Sequence, residues 1–275
     1  MDALPTLDIA ISTYRSEGIS RVASMELPRL EGVRYVVSWQ AHEGAPVPDA
    51  LRDRDDVIVF RFGQSGQSKN RNNALDHCTA DIIVCSDDDV TFFPDGIQSL
   101  RRAFAENPEV DFATFRSMHG DMSRFPAESV RLTLPYPKGY HASGIELAMR
   151  RSKTGSLRFC PEFGLNSPRL HGGEDEMLLL SAIRRGLECR YFPITVCSHP
   201  HESTGTAVRL SDANLRASGA VIALTTPATA VLRLPLKAWR LHSSGQSGFF
   251  RALRHLFSGA LSSRAVLRRN HDTLW

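Results

Sequence analysis

Three consecutive carboxylates, Asp87, Asp88 and Asp89, follow the apolar run Ile82 to Cys85 and precede Pro94-Asp95. A short apolar run so bounded reads as a buried strand, and a Pro-Asp pair opens a helix. Ligands of open α/β sheets bind beyond the carboxyl ends of the strands, so these acids would face a binding site. Adjacent carboxylates repel unless a cation stands between them. Carboxylate oxygens suit magnesium or manganese, ions that commonly share their shell with substrate phosphates. The chemistry indicated is the handling of a metal-bridged phosphate ester. A solvated acidic turn is the plain alternative for any lone run of this kind.

A second acidic run, Glu174-Asp175-Glu176, follows Gly172-Gly173 and leads into MLLLSAI, Arg184-Arg185 and Gly186. This reads as a helix with acids at its start and bases at its end, an arrangement that stability alone explains. It also places carboxylates where a general base could stand, Asp175 or Glu174. A strand over Arg190 to Val196 runs into His199 and His201, either of which could join a metal while the other serves a turn. The loop and helix GQSGQSKNRNNAL offers Arg71 to an anion, although an arginine there can equally solvate its helix face.

The elements that must position these groups alternate. Strands are expected over Leu7 to Ser12, Val33 to Ser38, Val57 to Phe62, Ile82 to Cys85, Val110 to Phe115, Ile145 to Arg150 and Arg190 to Val196. Helices are expected over Gly18 to Leu27, through Ala74 and Leu75, over Pro94 to Asn107 and over Glu174 to Arg185. Such alternation argues for a mostly parallel sheet with helices on both faces. Met118 to Tyr140, rich in Pro, Ser and Arg, has little periodicity and reads as irregular.

The 275 residues suffice for one large α/β domain with an appendage. Five scattered cysteines without a CxxC pair suggest neither a disulfide framework nor a zinc site, and point to a reducing cytosol. No basic, apolar leader opens the sequence. Nine bases and one acid from Ala213 onward carry +8, leaving −5 for residues 1–212 of a chain with net charge +3. Two regions of opposite charge suggest two roles.

In their order these motifs resemble the family 2 glycosyltransferases of GT-A fold, over roughly residues 7–205. Ser12-Thr13-Tyr14 is similar to the family's opening nucleotide-contact segment. Arg71-Asn72 resembles the pair that approaches the nucleotide base, and Gln40 stands near the place of the family's usual base-reading acid. Ser86 to Asp89 resembles the DxD motif, Gly144 the glycine of the acceptor-side strand, Gly173-Glu174-Asp175 the xED motif, and His199 a late metal-shell histidine. The first segment departs from the usual Pro-x-Tyr-Asn, and which base is read stays open.

The resemblance implies a GT-A, Rossmann-like catalytic domain over 1–205, with a nucleotide-sugar half at about 1–117 and an acceptor half at about 118–205. A basic helical region over 206–275 follows it. It implies an inverting transfer from a nucleotide-diphospho-sugar to a hydroxyl of a polysaccharide or lipid-linked glycan. A manganese or magnesium ion would sit on Asp89, with Asp87 and His199, while Asp88 faces sugar or ribose hydroxyls. Asp175 would take the acceptor proton and Glu174 orient the acceptor. The tail, with Trp239, Phe249, Phe250, Leu253, Leu256 and Phe257 among arginines at helical spacing, reads as a peripheral contact with the inner face of a membrane, or as helices packed on the enzyme. No nucleic-acid module accompanies its bases.

Two other readings compete. Asp87 to Thr91 also fits the DxDxT of haloacid-dehalogenase-type phosphatases, with Asp87 as nucleophile. A catalytically silent sugar-nucleotide or glycan-binding module is the non-enzymatic reading.

Overall fold

The computed structural model describes residues 3–118, 122–137, 139–199 and 211–270. Its first half follows from four Val- and Ile-rich strands, β1 (Leu7–Tyr14), β2 (Val33–Gln40), β3 (Val57–Phe62) and β4 (Ile82–Ser86), separated by helices α1 (Arg15–Ser24), α2 (Asp49–Arg52) and α3 (Gln67–His77). Parallel ladders join β3 to β2, β2 to β1 and β1 to β4, so Tyr14 stands beside Gln40 and Gln40 beside Phe62. All five residues of β4 are buried, as expected of a strand covered on both faces. Helix α1 begins three residues earlier than its sequence pattern suggests and stops at Met25.

The second half comprises β5 (Thr91–Phe92), α4 (Pro94–Glu106), β6 (Phe112–Met118), β7 (Val130–Arg131), β8 (Leu147–Arg150), α5 (Arg151–Thr154), α6 (Glu174–Arg184) and β9 (Cys189–Ser198). The sheet runs β3-β2-β1-β4-β8-β6-β9-β5, with β7 also on β9. Strand β8 lies antiparallel between β4 and β6, whereas β6 and β9 are parallel. Strands β1–β4, β6 and β9 therefore share one direction, and the sheet is mostly parallel. A single turn of 3-10 helix, Gly144–Glu146, precedes β8 and delivers its chain from the end of the sheet where β4 stops.

Two apolar layers sandwich this sheet. Ile9, Val37 and Val84 meet Ile19 and Val22 of α1 and Leu100 and Phe104 of α4 on one face. Val36, Ile83 and Cys85 meet Ala74 and Leu75 of α3 and Leu178 and Leu179 of α6 on the other. Each such side chain contributes about 1.5–3 kcal/mol on burial. The stretch from 122 to 137 is largely irregular, as its composition suggests. A buried pair of Arg124 and Glu146 fastens it, Glu146 also accepting from Ser117 at 2.6 Å.

The C-terminal region is helical, with α7 (Asp212–Thr225), α8 (Ala230–Ser243) and α9 (Phe249–Arg269). It packs on the α/β part of the chain. Ala217, Ala220 and Leu224 of α7 pack on Phe163, Met177 and Leu180. Helices α7 and α9 touch at glycines: a Cβ on Gly219 would lie 1.9 Å from the Leu256 carbonyl oxygen, and one on Gly259 1.8 Å from that of Arg216. Leu234, Ala238 and Leu241 of α8 close a further cluster with Ala252 and Leu256. Phe249, Leu253, Leu256 and Phe257, which the sequence offers to a membrane, lie in that cluster. Among the described residues no helix is long and apolar enough to cross a membrane.

Candidate active site

A cavity of about 740 Å³ opens at the carboxyl ends of β1, β2 and β4, lined by Ser12, Thr13, Tyr14, Gln40, Arg71, Asp87, Asp88, Asp89, Glu174, Asp175 and His199. The three aspartates leave β4 in different directions, and each meets a different partner. Asp87 Oδ1 accepts from Arg71 Nη2 at 2.8 Å. Asp88 accepts from Thr13 Oγ1 at 2.6 Å and from both Nε and Nη2 of Arg21, at 3.1 and 2.9 Å. Asp89 Oδ1 lies 3.0 Å from His199 Nε2. Burial raises the Asp88 pKa against the pull of Thr13 and Arg21. For Asp89 burial is outweighed by His199 and Arg21, and its pKa lies below the ordinary carboxylate value.

The second cluster arrives on α6. Gly172 and Gly173 have φ of +112° and +82°, which a side-chain-bearing residue rarely adopts, and they turn the chain so that the first turn of α6 points into the cavity. Asp175 Oδ2 accepts from the Gly144 backbone N–H at 2.8 Å, and its Oδ1 accepts from Arg71 Nη1 at 2.7 Å. Glu174 Oε1 stands 3.3 Å from the same Nη1. Gly144 is required here sterically: a Cβ would fall 2.7 Å from Arg71 Nη2 and 2.9 Å from Asp175 Oδ1. Burial, reinforced by Asp175, pushes Glu174 well above the carboxylate range. Burial also raises Asp175 although Arg71 opposes it. Glu176 is pushed up to about 7 by burial and by Asp175. Acids placed only for the helix dipole would sit in solvent with ordinary pKa values; these three are raised by burial.

Several residues stand where the sequence reading did not put them. Arg71 is buried and spent on Asp87, Glu174 and Asp175, because three carboxylates converge on it. It bridges the two acidic clusters instead of reaching along the sheet toward a base. Asn72 turns away from the cavity and holds the Phe159 backbone through both its amide groups, at 2.8 and 2.9 Å. Asn70, one position round from Arg71 on α3, lines the cavity in its place, bonded to Ser38 and to the Thr13 carbonyl. Asp88 is sequestered by Arg21 and Thr13 and so is less open to hydroxyls than expected. Gly144 and Gly173 position neighbours without lining the cavity. His201 lies outside the described residues. The sequence reading also missed Arg21, Gln67 and Asn214, the last carried by α7 to the cavity wall.

Strain concentrates at the same rim. Of the non-glycine residues with positive φ among those described, Arg15, Ala41 and Glu43 sit just beyond the ends of β1 and β2. Ala41 and Glu43 border a side pocket of about 240 Å³ that shares Tyr14 and Gln40 with the main cavity, which Arg15 lines. Gln40 donates through Nε2 to the Gln64 carbonyl, and the Arg15 guanidinium lies 4.8 Å from the centre of the Tyr14 ring.

The charge of the main cavity sets what it can hold. Among the described residues it is lined by six carboxylates, those above and Glu17, against three arginines, Arg15, Arg21 and Arg71, and two histidines. With neutral histidines this is −3, which repels a diphosphate unless a cation accompanies it. Asp89 Oδ1 is buried, accepts no well-aligned hydrogen bond among the described residues, and faces an imidazole nitrogen 3.0 Å away. Adjacent ligands of an octahedral ion at roughly 2.1 Å stand about 3 Å apart, so this pair fits a divalent ion. No three His, Cys, Asp or Glu converge as a complete cage among the described residues, which suits an ion that takes its remaining ligands from phosphate and water.

A parallel half-sheet presenting acids at its carboxyl ends, completed by a mixed half and a helix that carries a second acidic pair, is the architecture of GT-A glycosyltransferases. Residues 44–162 match the family model Glycosyl transferase family 2. The crystal structure of S. aureus TarS 1-349 in complex with UDP-GlcNAc shares the fold with a TM-score of 0.59 at 14% identity, over 94% of this chain and 92% of that one. The same protein in complex with UDP gives 0.58 at 14%, over 94% and 91%. S. aureus TarS gives 0.56 at 14%, over 98% of this chain and 54% of that one. No curated protein matches the sequence. The stretch matched by this family model includes Asp87 to Thr91.

Proposed function

We infer that the protein moves a sugar, with inversion, from a nucleotide-diphospho-sugar to an acceptor hydroxyl, using a divalent metal. The observation that carries this is the single buried Arg71, which touches Asp87 of one acidic cluster and Asp175 of the other and so fixes both on one cavity. The UDP and UDP-GlcNAc named for TarS support a nucleotide-sugar donor. Its base would lie against Tyr14 in the side pocket. Gln40, whose amide nitrogen is already spent on Gln64, would offer its carbonyl oxygen to a base N–H.

Asp89 and His199 would hold the metal, with Asp87 nearby, and when bound the ion would supply Lewis-acid neutralisation of the leaving diphosphate. Asp175 takes the acceptor proton as the acceptor oxygen bonds to the anomeric carbon. The bond from that carbon to the phosphate oxygen breaks, and its electron pair leaves with the nucleoside diphosphate. Attack from the opposite face inverts the centre. Gly144 and Arg71 occupy both oxygens of Asp175 and fix its direction, while Glu174 shares its proton load. The same reading gives the acceptor as a polysaccharide or lipid-linked glycan, and the location as the cytoplasmic face of a membrane.

A thermal-shift panel of nucleoside diphosphates with and without manganese tests this reading. One diphosphate should raise Tm by several degrees, and only with the metal. A chain that no diphosphate stabilises, and that hydrolyses a generic phosphate ester, would contradict it.

A further inference from the structure

Helix α8 exposes what a soluble helix hides. Leu232, Leu236 and Trp239 are 73, 48 and 58% exposed, and their i, i+4, i+7 spacing puts them on one stripe. Arg233, Lys237 and Arg240 repeat that spacing one residue on, forming a basic stripe along its flank. The buried side of the helix, Leu234, Ala238 and Leu241, is already satisfied by α9 and Leu215. The apolar stripe is thus surplus to folding. On α9, Phe250 and Leu261, 82 and 78% exposed, repeat the pattern eleven residues apart, three turns along one face. From Ala213 to His271 the sequence has no acid.

We propose that the outer stripe of α8 docks on an anionic lipid surface, with Leu232, Leu236 and Trp239 in the headgroup boundary and the arginines on lipid phosphates. Amphipathic helices with Trp and Leu on one face and bases beside them bind interfaces in this way. Charge complementarity selects this occupant. A second copy would set bases against bases, because a two-fold contact pairs a patch with itself. The −5 carried by residues 1–212 is repelled by the same lipids, so the surface also orients the enzyme. Helix α7 runs from Asn214, in the cavity wall, to Thr225, about 17 Å along its axis, just before α8 begins. This docking deepens the location named above and rests on that part of the reading alone, since vesicle binding and sugar transfer can fail separately.

Flotation of the full chain with vesicles tests it. The chain should bind phosphatidylcholine vesicles containing a quarter phosphatidylglycerol, lose them in high salt, and ignore pure phosphatidylcholine. Replacing Leu232→Ser, Leu236→Ser and Trp239→Ala together should weaken partitioning at least tenfold. Arg233→Gln with Arg240→Gln should weaken it about 25-fold, at roughly fivefold per base, while the manganese-dependent nucleotide shift in Tm is kept. In a Trp275→Phe chain Trp239 is the exposed indole, because Trp39 is fully buried, and its emission should move to the blue on anionic vesicles only. Equal binding by parent and variants, no emission shift, or a parent dimer that the triple replacement splits would overturn the proposal.

Discussion

Two acidic runs meet at the same cavity, lined by all three acids of the first and by Glu174 and Asp175 of the second, and they are treated differently. At the end of β4, Asp87, Asp88 and Asp89 each have a different partner, Arg71, Arg21 and His199. At the start of α6, Glu174, Asp175 and Glu176 have among them only a share of Arg71, and all three are pushed above the ordinary carboxylate range. In the first run Asp89 lies below the ordinary carboxylate value, which suits the metal role proposed for it. The raised acids of the second run suit the proton-accepting role proposed for Asp175.

Changing the α6 acids and the arginine they share would break this contrast most sharply. Asp175→Asn should lower transfer on the order of a thousandfold, within the range for loss of a general base, with nucleotide binding nearly intact. Glu174→Gln should cost less. If the glutamine variant lost more in steady-state transfer, Glu174 would be the base. Arg71→Ala leaves Asp87, Glu174 and Asp175 buried without their cation, and removing one partner of a buried pair costs about 3–5 kcal/mol. Both transfer and thermal stability should fall, and Arg71→Lys, which keeps the charge but not the fork, should recover stability better than transfer.

The contrast also has a pH signature. Because Asp175 and Glu174 bind protons above the ordinary carboxylate range, the rising limb of transfer against pH should lie above that range, and Glu174→Gln should move it down. Glu176 gives the smallest effect. Its folded pKa, about 7, exceeds the usual glutamate value, so its contribution to stability is full below that value and is lost as pH rises through about 7. Glu176→Gln should therefore raise Tm by a few degrees at pH 8 and leave it unchanged at pH 4, read by calorimetry.

Much of this was legible in sequence because it is local. A continuous apolar run ending in acids can only be a buried strand delivering charge, and β4 is that strand. Two glycines before three acids mark a sharp helix entry, and α6 has it. What was illegible depends on long-range facing. Nothing near Arg21 says that it will meet Asp88, 67 positions later. On α3 the residues that turn inward are Ser68, Asn70, Arg71, Ala74 and Leu75, so a motif naming the pair Arg71-Asn72 assigns the site one residue that helical rotation carries away. The four residues of β8 carry no sign of strand direction. Helix α7 offered only weak polarity in sequence, and its small residues Ala217, Gly219 and Ala220 acquire meaning only against α6 and α9.

The most direct test titrates UDP with manganese into two variants, Asp89→Asn and Asp175→Asn, by calorimetry. The account predicts that Asp89→Asn loses the metal-dependent part of the affinity while Asp175→Asn binds as the parent does. If Asp175→Asn loses metal-dependent binding and Asp89→Asn keeps it, the roles assigned to the two clusters are contradicted.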